Sequence, residues 1–286
     1  MVRLALPNKG RLAEPARTLL EDAGLDARAP SDRALRAYCG EGYLAVFARA
    51  QDIPELVADG AADAGITGWD LVSESTRPLA DRLDLKFGRC RLVLAVPDES
   101  SVRALHELGA RPRVATTFPR LTAAFFRMHG SDVEVVPISG AVESAPHLGI
   151  ADAIVDLTST GATMRANGLR ELVTLQQSSA RLITRVEEKS ADAATAVTAL
   201  VSTLESVVRA RDQRYVMANM PRNALDRVRT VLPGLNGATV TEILNGGHFV
   251  AVHAVVPADQ LSFTVAALKS LGGEGILVTR IERLVP

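Results

Sequence analysis

One short stretch holds the residues best suited to chemistry: Asp156-Leu-Thr158-Ser159-Thr160-Gly161-Ala162-Thr163. An apolar strand, Ala153 to Val155, runs into hydroxyl residues and a glycine, and a helical stretch follows. The first amides of a helix lack intrahelical partners, and Thr158, Ser159, Thr160 and Thr163 add hydroxyls to the same concavity. Gly161 lets the backbone approach a ligand closely. The pattern predicts a cradle for a small anion such as a phosphate monoester. It is not a Walker A loop, because no Gly-Lys-Ser/Thr follows. The helix dipole adds only about 0.3–1 kcal/mol, so the hydrogen bonds must carry the affinity. The same pattern also serves as a plain βα turn with Ser/Thr caps.

Asp156 favours the ligand reading. A carboxylate beside an anion cradle is costly unless a sugar hydroxyl or a cation lies between them, and a phosphorylated ribose meets that need. Glu143, ahead of a short helix ending at Gly149, offers a second carboxylate for a ribose diol, or else an exposed acid at a helix start. Asp152 and Asp156 share a strand face about 13 Å apart and cannot both touch one sugar, which leaves Asp152 a structural role. Near the amino terminus, Lys9-Gly10-Arg11 follows strand Leu4 to Leu6 and places two cations at a strand end, a loop that solvation alone would also explain. Gly65-Ile-Thr-Gly68-Trp69-Asp70 is a matching strand end, with Asp70 either a site residue or a helix cap. The five histidines are scattered without His-x-x-x-His spacing or a Ser/His/Asp order, which disfavours a zinc site or hydrolytic triad.

The elements that must position these groups follow an α/β rhythm over the first ~210 residues, with parallel strands expected to dominate. A helix from Glu14 carries Ala16, Leu19, Leu20 and Ala23 on one face and stops at Gly24. Two internal echoes are visible. Arg3 to Leu12 and Arg113 to Leu121 both read as strand, polar loop and helix, while Gly60-Ala-Ala-Asp63 and Gly149-Ile-Ala-Asp152 both open a strand. They predict two similar lobes with a crevice at the strand ends, the usual ligand position in open α/β sheets. Val197, Leu200, Val201, Leu204, Val207 and Val208 mark a long amphipathic helix from Ala191 to Arg211. Beyond it come Tyr215 to Met220, helix Arg222 to Val231, Thr239 to Leu244, a turn at Asn245-Gly246-Gly247, His248 to Val256, helix Asp259 to Leu271 and Ile276 to Ile281. That βαββαβ order is the ferredoxin-like plan, and it carries no catalytic cluster. The predicted domains are residues 1–91 with 182–211, residues 92–181, and residues 212–286.

Bulk properties narrow the function classes. The 286 residues suit two or three units at ~150 residues each. With 47% hydrophobic and 23% charged residues, wholesale disorder is excluded. Thirty-two basic against 33 acidic side chains leave −1, so no global field draws nucleic acid or anionic membrane. An aromatic content of 4% is thin for stacking single-stranded nucleic acid. Cys39 and Cys90 form no disulfide framework and read as buried thiols of a reducing compartment. No apolar run approaches the ~18–20 residues that cross a bilayer, and no signal core forms before Lys9 and Arg11. A cytoplasmic protein without membrane or nucleic-acid partners is expected.

The stretch Glu143 to Thr163 with Ala166-Asn-Gly-Leu169 resembles the signature of the ATP phosphoribosyltransferases, which open histidine biosynthesis. Pro7-Asn-Lys-Gly-Arg11-Leu12, Asp63 to Asp70, Phe87-Gly-Arg-Cys-Arg91-Leu92 and Ala115-Thr-Thr-Phe-Pro119 extend the resemblance along the chain. It implies two periplasmic-binding-protein-like α/β lobes forming a catalytic crevice, with the ferredoxin-like tail as the regulatory domain of the long form. It implies transfer of phosphoribosyl from phosphoribosyl pyrophosphate to N1 of ATP, with Mg2+ bound mainly through substrate phosphates and no metal cage of the protein's own. Residues Asp156, Thr158, Ser159, Thr160, Gly161, Ala162 and Thr163 would hold the donor's 5-phosphate and, with Glu143, its ribose hydroxyls. Lys9, Gly10, Arg11, Gly68 and Asp70 would face the nucleotide and pyrophosphate, and Lys9, Arg11, Glu143 and Asp156 would be the catalytic set. Histidine as inhibitor would meet Leu235, Thr239 and Gly275 in a homo-oligomer, dimer or hexamer. Here Ala218-Asn219-Met220 precedes Pro221, where a related long form has an acidic residue. The alternative is a two-lobed small-molecule binding protein without catalysis.

Overall fold

The computed structural model describes residues 1–28, 34–187, 190–244 and 247–285. Asn245 and Gly246 of the expected turn lie outside them. The chain divides into two compact units, residues 1–18 with 26–201, and residues 19–25 with 202–286.

The first unit holds two sheets. One, in the order β2-β3-β1-β4-β11-β5, is built from β1 (Val2–Pro7), β2 (Arg36–Tyr38), β3 (Tyr43–Ala48), β4 (Ala64–Gly68), β5 (Leu79–Asp84) and β11 (Ala180–Arg185). The other, β10-β6-β9-β7-β8, uses β6 (Cys90–Pro97), β7 (Arg113–Thr116), β8 (Glu134–Pro137), β9 (Ala153–Thr158) and β10 (Leu169–Ser178). The helices of residues 1–211 are α1 (Ala13–Asp22), α2 (Ile53–Ala58), α3 (Trp69–Glu74), α4 (Pro119–Met128), α5 (Ala162–Ala166) and α6 (Ala191–Arg211), of which residues 19–22 of α1 and 202–211 of α6 belong to the second unit. Only β3-β1-β4 and β8-β7-β9 run parallel. The expected dominance of parallel strands gives way to mixed sheets, because β5 to β6 and β10 to β11 pass directly between the sheets and enter each one antiparallel to its parallel core.

Both echoes become structural equivalences. β1 and β7 are the central parallel strands of their sheets, and their amides and guanidiniums hold matching carboxylates. Arg3 N donates to Asp63 Oδ2 at 2.9 Å and Arg3 Nη2 to Asp63 Oδ1 at 2.8 Å and to Gly60 O at 3.0 Å. Arg113 N donates to Asp152 Oδ2 at 2.8 Å, its Nη2 to Asp152 Oδ1 at 2.9 Å and its Nη1 to Gly149 O at 3.0 Å. Asp152 therefore staples β7 to the approach of β9, one residue ahead of that strand. Hydrogen bonding from Arg113, larger than the opposing desolvation, holds its carboxyl below the usual range. Helices α1 and α4 stop where Gly24 and Gly130 take φ of +77° and +67°, and Leu25 N and Ser131 N reach back to Leu20 O and Phe126 O, closing the last turn.

The core behind β9 alternates as a strand must. Ala153 and Val155 pack with Phe118, Phe125 and Phe126 on one face, and Ile154 packs with Val142, Ala145 and Met164 on the other. Cys39 and Cys90 are buried free thiols, and desolvation pushes both up. Helix α6, by length and composition alone, is apolar enough to cross a membrane, contrary to the sequence expectation. Its apolarity is concentrated in Val197, Leu200, Leu204 and Val207, all buried at helical spacing.

The second unit's sheet has the order β13-β14-β12-β15, from β12 (Gln213–Pro221), β13 (Thr239–Glu242), β14 (Phe249–Pro257) and β15 (Glu274–Arg280). With α7 (Leu225–Val231) and α8 (Leu261–Ser270), this is the ferredoxin-like plan. Val216, Ala218 and Met220 of β12 and Val250, Val252 and Ala254 of β14 form its core with Val228 and Leu268.

Candidate active site

The hydroxyl loop sits where β9 ends and α5 begins. Gly161 takes a left-handed φ of +74°, which turns the chain into the helix. Gly161 N donates to Thr158 Oγ1 at 2.8 Å and Ala162 N to Thr160 Oγ1 at 3.3 Å, so two hydroxyl oxygens serve as acceptors for the loop's own amides. Thr160 is exposed and can turn its O–H toward a ligand, whereas Thr158 is buried. This differs from a cradle made of amides alone and gives the glycine and the two threonines one joint purpose. A Cβ on Gly161 would sit 2.6 Å from Arg165 Nη1 and 2.7 Å from Glu171 Oε1, so side chains close over the turn.

Strand register aligns the acids and cations. On the antiparallel ladder Arg91 lies opposite Thr158 and Val93 opposite Asp156, so Arg91, Thr158 and Asp156 share one face of the sheet. Asp156 Oδ1 accepts a 2.7 Å bond from Leu157 N. Burial pushes the Asp156 carboxyl up to about 6, against the lowering effect of that bond, and the Glu143 charge adds to the rise. Glu143 stands on a 3-10 turn, Val142–Ser144, entered through Ala141 at a left-handed φ of +51°. A non-glycine residue held there marks backbone strain near a site, and no signal in the sequence announces it. The structure thus brings Glu143, Asp156 and the loop together from separate segments.

The first-lobe residues are placed differently from one another. Lys9 is exposed at the end of β1 and makes no hydrogen bond or ion pair among the described residues, and Gly10 beside it has φ of +85°. Arg11 instead turns inward. Its Nη2 donates to Asp70 Oδ1 at 3.1 Å and its Nη1 donates to Gly88 O. Gly68 and Asp70, expected to face a nucleotide, are buried, Asp70 at 1% exposure. Asp70, the second residue of α3, receives Ser178 Oγ–H on Oδ1, and its own N donates to Ser178 Oγ at 3.0 Å. Gly68 is needed because a Cβ would fall 2.3 Å from Asp70 Oδ1. Asp70 is therefore placed to position Arg11 and the crossover at Gly88, with no face toward solvent.

Sequence reasoning passed over two further arginine arrangements. Arg91 makes a forked pair with Glu171, 2.8 Å and 3.2 Å, beside Gly161. Arg181 lies over the Trp69 ring at 5.5 Å and pairs with Asp81 and Asp84. Charged residues inside strands were the available signal, but their partners lie far away in sequence.

In the second unit, Leu235 is exposed, Thr239 starts β13, and Gly275 lies on β15 with φ of +58°. β13 and β15 are opposite edges of the sheet. Three strand spacings of about 4.8 Å separate them, too far for one amino acid to touch Thr239 and Gly275 of the same chain.

Comparison with known proteins covers the full length of the chain. The family model described as ATP phosphoribosyltransferase matches residues 49–206, and the model of that family's C-terminal domain matches residues 210–283. The ATP phosphoribosyltransferase of Gemmatimonas aurantiaca is 59% identical, with all of both chains covered. That of Haloarcula marismortui is 49% identical over 99% of this chain and all of the relative. Among solved structures, an ATP phosphoribosyl transferase (HisG:HisZ) complex from Thermotoga maritima aligns at a TM-score of 0.63 and 29% identity, covering 73% of this chain and 99% of that one. A hydroxyl loop beside a largely desolvated aspartate, a tail matched by its own family model and relatives of equal length lead to one assignment: the chain belongs to the ATP phosphoribosyltransferase family, in its long form.

Proposed function

We propose that the chain transfers phosphoribosyl from phosphoribosyl pyrophosphate to N1 of ATP and releases pyrophosphate, the first step of histidine biosynthesis. The observation that carries the reading is the juxtaposition of Asp156 with the Thr158–Thr163 loop on one sheet face. The loop would grip the 5-phosphate through threonine hydroxyls and the α5 amides that follow Ala162, whose own N–H is taken by Thr160. Asp156 and Glu143 would accept from the ribose hydroxyls and complement the positive charge that builds at C1 as the pyrophosphate departs. Such a reaction needs positioning and electrostatics more than proton transfer. Lys9 would meet the acceptor or the departing phosphates, with Arg11 set in place behind it by Asp70.

Among the described residues no group of three or more His, Cys, Asp or Glu side chains converges as a metal cage. A cation shared with the substrate fits this set: phosphate oxygens would supply most ligands, with Asp156 or Glu143 completing the shell through water. Such a cation would supply charge neutralisation for the leaving pyrophosphate.

The reading is tested by mixing the full chain with ATP, phosphoribosyl pyrophosphate, Mg2+ and a pyrophosphatase and following the ultraviolet change of N1-substituted adenine; a flat trace from folded protein overturns it. Thr163→Ala and Lys9→Ala should each raise the KM for phosphoribosyl pyrophosphate, on the order of tenfold for loss of a hydrogen bond to a charged group, while Tm stays within about 2 °C because both side chains are exposed. A parallel fall in Tm and activity would mark them as structural.

Feedback by histidine belongs to the same proposal. Because Thr239 and Gly275 occupy opposite sheet edges, one effector molecule would need surfaces from two copies of the chain. Inhibition should then appear together with a larger assembly in light scattering at graded histidine. Inhibition of a strictly monomeric protein would refute the shared site.

A further inference from the structure

Helix α4, which follows β7 of the second sheet, begins without a cap of its own. Phe118 at its N-cap position makes no side-chain cap bond, Pro119 has no N–H, and Thr122 N closes on Phe118 O at 3.0 Å. The two amides left over go to one carboxylate on a helix of the first sheet: Arg120 N donates to Glu74 Oε1 at 2.8 Å and Leu121 N to Glu74 Oε2 at 2.9 Å. Arg120 Nη1 adds a bond in the same direction, to Thr76 Oγ1 at 2.8 Å. A carboxylate at a helix start satisfies orphan donors and meets the positive end of the dipole, which makes this a strong form of cap.

Glu74 ends α3, and the other end of α3 is tied to the place where the chain crosses between the sheets, because Trp69 N donates to Ser179 O at 2.9 Å. The two crossing segments are bonded to each other there, Leu85 N to Ala180 O at 3.0 Å and Ala180 N to Phe87 O at 2.9 Å. Two adjacent crossing strands act as a hinge line. They join the sheets but leave rotation about themselves soft, so a contact away from the line is what fixes the angle. Glu74 stands five residues beyond Trp69, about 7.5 Å further along the helix. Leu71 of α3 packs on the Phe118, Phe125 and Phe126 core of the second sheet, and Gln176 Nε2 of β10 donates to Ser73 Oγ at 2.9 Å. The Glu74 fork adds a charge to these neutral contacts and points it at two amides that have no other cap.

Resting on the proposed phosphoribosyl transfer, we propose that Glu74 is a positioning residue. By capping α4 from the other sheet it fixes the angle between the sheets, and so the separation between the hydroxyl loop, which ends β9 of one, and Lys9, which follows β1 of the other. Donor and acceptor carried on different sheets react only when that separation is held. Glu74 acts through α4 and the hinge and not on the reacting atoms.

Hydrogen–deuterium exchange, turnover and ribose 5-phosphate calorimetry on the full chain test this with wild type, Glu74→Gln and Glu74→Asp. Glutamine keeps one acceptor and turns an N–H toward the second amide. Glu74→Gln should therefore speed exchange about tenfold at Arg120 and Leu121, and also at Leu85 and Ala180 of the hinge. It should lower kcat about tenfold and leave ribose 5-phosphate affinity within about twofold, since the second sheet alone would hold that ligand. Glu74→Asp, which keeps the charge on a shorter stem, should be intermediate. Faster exchange confined to Arg120 and Leu121, with kcat within about twofold of wild type, makes Glu74 an ordinary helix cap and overturns the proposal. An equal loss of ribose 5-phosphate affinity also overturns it, because that marks general loosening of the second sheet. If wild type itself shows no turnover, the proposed transfer fails, and exchange at the hinge still decides whether Glu74 sets the angle.

Discussion

Asp156→Asn should make the protein more stable above pH 6 and at the same time nearly inactive. The folded carboxyl is held at about 6 against an ordinary 3.8, chiefly by burial. Between those values the native state keeps a proton that the unfolded chain releases, so wild-type stability falls as pH rises through this window and levels off above it. A shift of about two units corresponds to at most ~3 kcal/mol. Asparagine has no charge to bury and can still accept from Leu157 N, so the variant should lack this fall. Urea titrations at pH 4 and pH 7.5 read the difference directly. Loss of a charge complementary to the developing ribose cation should cost on the order of 10²-fold in kcat/KM. Wild-type turnover should also decline below pH 6 as Asp156 protonates. Stability gained without activity lost would reduce Asp156 to a buried polar residue of the strand.

The parts of this fold that were legible in the sequence are those governed by local physics. The stop of α1 at Gly24 follows from a glycine's access to positive φ, and the tail's βαββαβ order follows from its alternating apolar periods. The paired echoes were legible because Arg3 with Asp63 and Arg113 with Asp152 perform one task twice, in the same sequence order. Strand direction after Asp84 was not legible. A strand that crosses to another sheet has the same composition as one that stays, so β6, β10 and β11 carry no mark of their antiparallel pairing. The site divides in the same way. The hydroxyl loop is continuous, and its residues act on neighbours two or three positions away. Arg91 and Glu171 stand 80 positions apart, and Asp70 and Ser178 stand 108 apart, so only the tertiary fold brings them together. Arg11 and Asp70 were both expected to face a ligand because each follows a strand end. The fold uses one to satisfy the other.

That pairing sets the second large effect. Arg11→Ala should destabilise the protein by about 3 kcal/mol, because it removes the ion-pair partner of a carboxylate that is 1% exposed. Asp70 Oδ2 already lacks a hydrogen-bond partner, so the remaining carboxylate would depend on Ser178 and Asp70's own helix start. Arg11 also donates to Gly88 O, where the chain crosses between sheets at φ of +60°, so its loss should loosen that crossover. A double-mutant cycle distinguishes a specific pair from a general packing loss. Adding Asp70→Asn to Arg11→Ala should recover roughly 1–2 kcal/mol, since the neutral amide is far cheaper to bury than an unpaired charge. Denaturant midpoints of the four proteins give the coupling. If Arg11→Ala alone falls within about 0.5 kcal/mol of wild type, as an exposed surface pair would, then Arg11 is not needed to hold Asp70 and is available to meet substrate from the open side of the loop.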